Sequence, residues 1–322
     1  MRDRGHVRWS RAFALGTPLV PLALHSESKS KPITVAPVVG FNRARIERSR
    51  RRVGGMEKRR GQVIVLVAIG IVAGVLSGLF GVGGGVIVVP ALMAFLHLDQ
   101  RRASATSLVA IAPAAVVGAI TYAVQGEVHW LAALTLAIGS VVGAPVGARL
   151  LRALPLRVLP WIFVGFIAVV LVSLFTTVPT RGGDVHFGVV EAVVLLLLGL
   201  LSGVLSGLVG VGGGVVIVPG LEVVLGAGDL LAKGTSLLTM VPTSVSGTVA
   251  NLRRRAVELR VGLTVGVTAA VCSPGGAWIA RLVDPQVGTW LFAAFLVVVA
   301  VIVLRRGRRT APRNEATDGE VA

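Results

Sequence analysis

The chain has 322 residues, 54% of them hydrophobic and 15% charged, and a mean hydropathy of +0.84. A soluble domain carries about a quarter charged residues, so this composition excludes an ordinary water-surrounded fold and makes the bilayer the solvent. The net charge of +17 does not point to nucleic acid, because residues 1–60 hold 15 Lys/Arg against 4 Asp/Glu, or +11, leaving +6 for the other 262.

In chain order, 1–62 is basic, rich in Arg, Ser and Pro, and lacks a sustained apolar period. It reads as a disordered extension, within which 13–24 is too short and too Pro-broken to span a membrane and does not end in a convincing signal-peptide cleavage site. Met56, with Glu57, Lys58, Arg59 and Arg60 leading into the apolar run from Val63, reads as a natural start. A first transmembrane repeat is expected over 63–180, a second over 181–306, and a disordered tail over 307–322. Seven stretches inside them are long and nearly uncharged: 104–124, 130–149, 158–177, 189–209, 235–250, 261–280 and 287–304. At about 1.5 Å per residue, about 20 residues cross a hydrocarbon core of about 30 Å. The stretch 235–250 is short unless its flanks join it. The lone Cys272 excludes an internal disulfide framework and a Cys-based metal cluster.

The repeats show in a segment written twice. GLFGVGGGVIVVPAL at 78–92 returns as GLVGVGGGVVIVPGL at 207–221, with eleven of fifteen positions identical and an offset of 129. The offset persists: Thr106, Ser107 and Leu108 meet Thr235, Ser236 and Leu237, Pro113 meets Pro242, Gly118 meets Gly247, Pro145 meets Pro274, and Trp161 meets Trp290. A Gly-rich module duplicated inside apolar sequence points to a membrane transporter with paired, broken helices at its centre.

Each Gly-rich motif interrupts an apolar run, leaving long arms at 63–79 and 189–209 and short arms at 86–96 and 215–225. Eleven residues make only about 16 Å of helix, so the short arm reaches half-way. Charge decides whether each broken run is one crossing or two. If each makes two passes, the halves are inverted and the inside loops hold Arg101, Arg102, Arg149, Arg152, Arg157, Arg253, Arg254, Arg255 and Arg260, against Arg181, Lys233 and Arg281 outside. If each makes one pass, the same residues divide five inside to seven outside. The expectation is therefore an all-α polytopic membrane protein of two inverted repeats of about five segments, the first pair of each broken or re-entrant at a Gly-rich turn. Both termini then face the cytoplasm.

Three consecutive glycines permit positive φ and bare the backbone amides at a conformational cost no ordinary helix accepts. Gly81, Gly83, Gly84 and Gly85, with Gly210, Gly212, Gly213 and Gly214, each open a helix whose free N–H groups and dipole suit an anion. Pro90 and Pro219 break the following arms and free a carbonyl each. Thr106, Ser107, Thr235 and Ser236 supply hydroxyls that either ligate a substrate oxygen or bond back to their own helix. Glu222, where the first module has Met93, is the candidate for a coupling or gating carboxylate, with an interfacial Glu as the bland alternative. Glu191 reads as interfacial and Asn251 as a cap, a packing residue or a substrate contact. No Lys or Arg lies mid-segment on this reading. His97, His129 and His186 show no ligand spacing, so no metal and no cofactor are expected. Asp99, some twenty residues past the first motif, imitates a dinucleotide-binding fingerprint, but the second copy has no equivalent acid.

Both copies of Gly-x-Gly-Gly-Gly-x-x-x-Val-Pro (81–90 and 210–219), the Thr-Ser pairs after them and the two-module layout resemble the sulfite exporter TauE/SafE family of membrane permeases, over 63–306. The resemblance implies transport of small, often sulfur-containing oxyanions or organosulfonates across the bacterial inner membrane, in export or uptake. The long basic extension departs from the family's usual pattern. The expected function is a secondary transporter working by alternating access, with a passive anion channel as the alternative and a non-transporting scaffold behind it. Enzyme chemistry is not expected, since no nucleophile and base stand at matching depth. The partners expected are a small anion and a bilayer with anionic lipids at the basic termini; homo-oligomerisation stays open.

Overall fold

In the computed structural model the described residues are 61–155, 187–253 and 256–307, with scattered helical positions between 158 and 172. They lie in one compact unit, Gly55–Ala322. Every regular element among them is helical: α1 (Gly61–Phe80), α2 (Gly85–Phe95), α3 (Gln100–Val124), α4 (Trp130–Ala153), α5 (Val189–Val209), α6 (Gly214–Leu225), α7 (Asp229–Leu252), α8 (Leu259–Leu282) and α9 (Pro285–Gly307). Of these, α1, α3, α4, α5 and α8 are long and apolar enough to cross a membrane. Four expected stretches fall inside α3, α4, α5 and α8. The stretch 235–250 does gain a flank, because α7 begins six residues earlier at Asp229. The stretch 158–177 falls largely outside the described residues, as do the extension with Met56 and the tail beyond 307.

Local chemistry sets the helix ends. Asp99 caps α3 by accepting from Arg102 N at 2.7 Å, and His129 caps α4 by accepting from Ala132 N at 3.1 Å. Asp99 thus has a structural task, and its likeness to a nucleotide-binding acid is coincidental. Glu191 accepts from Gly188 N at the start of α5.

The exterior is apolar as well as the core. Val189 and Val271 are 81% and 76% exposed, and Trp130, Trp161, Trp278 and Trp290 are also exposed, while Ser77, Ser104, Ser140, Ser202, Thr239 and Thr243 are fully buried. An apolar exterior over a hydroxyl-bearing interior fits a lipid solvent, in which every backbone polar group must be satisfied within its helix.

Glycines let the helices meet backbone to backbone. A Cβ at Gly139, Gly143 or Gly147 of α4 would collide with the Leu196, Leu200 or Val204 carbonyl of α5; a Cβ at Gly199, Gly203 or Gly207 would collide with the Leu136, Ser140 or Ala144 carbonyl in return. The same contact joins α1 to α8, where Gly74, Gly78 and Gly276 meet Ala269, Ser273 and Val75. Because α5 is the repeat equivalent of α1, and α8 that of α4, each broken hairpin packs on the other half of the chain. Small residues are the means by which lipid-embedded helices approach this closely.

Two clusters give the orientation of the hairpins. Leu66 and Ile69 of α1 pack with Val88, Val89 and Leu92 of α2, with Ala103 and with Val261, beside the starts of α3 and α8. Leu195 of α5 packs with Ile217, Leu221 and Leu225 of α6 and with Ala132 and Leu136, beside the start of α4. The starts of α3 and α4 are at opposite ends, since only 125–129 links the two helices. Arg101 donates to Leu154 O at 2.7 Å and Arg102 lies 3.8 Å from Glu258, which gathers the α3 start, the α4 end and the α7–α8 link together.

Candidate functional site

The breaks after α1 and α5 are near-identical turns. Gly81, Gly83 and Gly84 have φ of 68°, 74° and 70°, and Gly210, Gly212 and Gly213 have 77°, 91° and 85°. L-residues rarely adopt these angles, so glycine is required. Gly84 and Gly213 are the N-caps of α2 and α6, and neither helix start has a side-chain cap. Each short helix therefore offers first-turn amides and a positive dipole end. Pro90 and Pro219 are buried within α2 and α6, and both helices run on through them, which corrects the expectation that they break the arms: the breaks lie at the glycines.

The two turns touch. A Cβ at Gly85 would lie 2.7 Å from Gly210 O, and one at Gly214 would lie 2.8 Å from Gly81 O. Ser236 Oγ donates to Gly81 O at 2.9 Å, and its equivalent Ser107 Oγ donates to Gly210 O. Thr106 Oγ1 accepts from Glu258 N at 3.1 Å, and its equivalent Thr235 Oγ1 accepts from His129 N at 2.9 Å. All four hydroxyls thus bond backbone of the opposite half. The two serines have their single proton engaged; what remains is acceptor capacity, which an anion cannot use.

Between the turns sits an apolar plug. Met240 of α7 and its repeat equivalent Ile111 of α3 are both fully buried, and a Cβ at Gly83 or Gly212 would meet both of them. The sequence motifs also omitted Ser77 and Ser206, one repeat offset apart and four residues before Gly81 and Gly210. Their hydroxyls are completely buried with no hydrogen-bond partner. The Ser-Gly step that opens each motif was the available signal.

Beside the first turn lies a cavity lined by Phe80, Pro219, Glu222, Asp229, Lys233 and Phe292, among others. Lys233 Nζ donates to Asp229 Oδ2 at 2.8 Å, with both side chains buried. The Lys233 backbone abuts Gly81, whose added Cβ would lie 2.7 Å from Lys233 Cα. The expectation that Lys233 occupies an outside loop is thereby corrected, since it lies in the second turn of α7. Hydropathy begins the segment at Thr235, but the helix begins at Asp229, and i,i+4 pairing lets its first turns enter the interior.

Residues 2–174 and 195–321 match the family model described as Sulfite exporter TauE/SafE. The chain belongs to the sulfite exporter TauE/SafE family. The match extends beyond the 63–306 covered by the motifs. Among curated relatives, this TauE/SafE chain is 33% identical over 140 residues to the Bacillus subtilis protein named "Probable membrane transporter protein YunE", covering 44% of this chain and 50% of that one. It is 36% identical over 118 residues to "Probable membrane transporter protein MamO" of Magnetospirillum gryphiswaldense, covering 34% and 19%. It is 25% identical over 187 residues to "Probable membrane transporter protein YdhB" of Bacillus subtilis, covering 57% and 76%. The chain spans half or less of the lengths of YunE and MamO. No solved structure matches. The chain is a multi-pass membrane protein of a transporter family.

The expected site residues divide by position in this TauE/SafE chain. The eight glycines form the two touching turns. Ser107 and Ser236 bond the turns, Thr106 and Thr235 bond backbone at the starts of α8 and α4, and Glu222 and Pro219 line the cavity. The arrangement combines two unspent helix starts with one charged recess. Such a recess can hold an ion away from water at a place where backbone irregularity is tolerated.

Proposed function

We propose that the protein is a secondary transporter that moves a small anion, a sulfur oxyanion or organosulfonate, across the bacterial inner membrane by alternating access, with both termini cytoplasmic. The observation that carries this reading is the pair of touching Gly turns, whose hairpins pack toward opposite ends of the helix assembly. Inversion of the two repeats is part of this reading, supported by that packing and by the gathering of Arg101, Arg102 and the α7–α8 link at one end. The plug of Ile111 and Met240 makes this conformation an occluded one, in which the helix starts meet apolar side chains in place of substrate.

The test is flux into proteoliposomes. Wild-type protein is expected to accumulate one or more of a panel of oxyanions and sulfonates uphill, and Gly84→Val and Gly213→Val are expected to abolish flux while still inserting. Normal flux in both variants removes the turns from the mechanism. Flux that never exceeds electrochemical equilibrium assigns the protein to the channel class instead.

A further inference from the structure

The turns, the serine bonds and the plug occur twice in the chain, but the charges in the cavity do not. The repeat offset places Glu222, Asp229 and Lys233 on Met93, Gln100 and Ser104. Those neutral residues occupy corresponding places: Ser104 lies against Gly210 as Lys233 lies against Gly81. The architecture thus forms in one half without charge at any of the three positions. A buried Lys–Asp pair usually stabilises no better than neutral, well-packed replacements, because desolvation offsets the attraction. The second half nevertheless keeps such a pair, adds a third ionisable group and leaves a cavity beside them.

We propose that Lys233 binds the charge of the transported anion and that Glu222 carries a proton with it, making the protein an anion–proton symporter. The inference rests on the transport reading above and names its coupling. Asp229 engages one of the three donors on Lys233 and serves as counter-ion when no substrate is present. With Asp229 and Glu222 ionised, the recess holds two negative charges and one positive. An entering anion would raise the excess to two negative charges in a poorly solvated space, a severe cost. One proton on Glu222, the carboxylate outside the ion pair, removes that cost. Proton and anion then leave together when the site faces the other side, so a monovalent anion such as methanesulfonate moves without net charge, and a divalent anion such as sulfate moves with one net negative charge. Among the described residues the other walls bring no competing titratable group, since α1 contributes Phe80 and α9 contributes Gly288, Thr289 and Phe292. Beyond Asp229 stands Tyr122 of α3, within electrostatic reach of Asp229, Glu127 and Arg281, and its hydroxyl donates to Gly78 O at 2.7 Å.

The experiment uses the full chain in proteoliposomes with sulfate, thiosulfate and methanesulfonate, whose charges stay constant between about pH 6 and pH 8. Uptake at low anion concentration is expected to rise as pH falls, by up to about tenfold per unit, the limit for one linked proton. Anions should accumulate in vesicles with an alkaline interior. Glu222→Gln is expected to flatten the pH profile and abolish accumulation while leaving anion exchange, and Lys233→Gln to raise KM at least tenfold. A triple variant, Glu222→Met with Asp229→Gln and Lys233→Ser, gives the second half the residues that the first half carries. It guards against loss of fold, and is expected to purify normally without pH-linked flux. Wild-type flux of any of these anions, combined with unaltered KM and pH profile in Glu222→Gln and Lys233→Gln, overturns this inference and leaves the transport reading standing. Wild-type vesicles that move none of them overturn the transport reading, and this inference falls with it.

Discussion

At the scale of single residues, the hydroxyl groups around the turns carry a testable distinction. Ser107 and Ser236 each donate to a turn carbonyl in the other half, and both are fully buried. Removing either leaves a buried acceptor unsatisfied, at about 1–3 kcal/mol. Ser107→Ala and Ser236→Ala are therefore each expected to lower the Tm of the detergent-purified protein by several degrees. Because the two turns touch, the double variant should depart from additivity. If the serines instead act only as substrate ligands, KM rises and Tm stays put, and differential scanning fluorimetry alongside flux separates the two roles. Thr106 and Thr235 differ in kind, since they accept from backbone at the starts of α8 and α4.

At the scale of elements, the glycine ladder between α4 and α5 is the contact with least room for change. A side chain at Gly143 would run into the backbone at Leu200 and Val204, atoms that cannot swing aside. Overpacking of this kind moves whole helices apart and exceeds the about 1–3 kcal/mol typical of an added methylene in a core. Gly143→Leu is expected to yield aggregated protein on size-exclusion chromatography. Gly275→Leu, at a position with nothing within 4 Å of an added Cβ, is expected to elute as wild type. Equal behaviour of the two would mean that α4 and α5 do not meet along their glycines. The same logic explains why the arms α2 and α6 stay short: each runs from a capping glycine to a turn at Leu96 or Gly226, and neither has the length to cross.

At the scale of the molecule, the cross-half contacts define which loops share a side. The Arg102–Glu258 contact brings the start of α3 to the α7–α8 link, while the link 125–129 lies at the other end of α3. Single cysteines at Arg102 and Glu258, in a Cys272→Ser background, are expected to label from the same side of intact cells or oriented vesicles. A cysteine at Gln125 is expected to label from the opposite side. Labelling of Glu258 and Gln125 from one side would contradict the inverted arrangement and the cavity that depends on it.

Much of this protein is legible in its sequence. Hydropathy locates the long helices because a lipid solvent demands unbroken apolar runs, and the constant offset of 129 exposes the duplication. Glycine at 83 and 84, and again at 212 and 213, announces left-handed turns because almost no other residue adopts those angles. These properties are local, encoded in residues near one another along the chain. Other features depend on how two halves dock. That Ser236 bonds Gly81 across 155 positions, that Met240 and Ile111 plug the space between the turns, and that Lys233 lies buried against Gly81 are consequences of that docking. Hydropathy averages read a charged helix start as a loop, because they register the cost of burying each charge and not the partner that offsets it. The partner, Asp229, stands one turn away in the same helix, but only the folded arrangement puts the pair, the cavity and the glycine turn in one place.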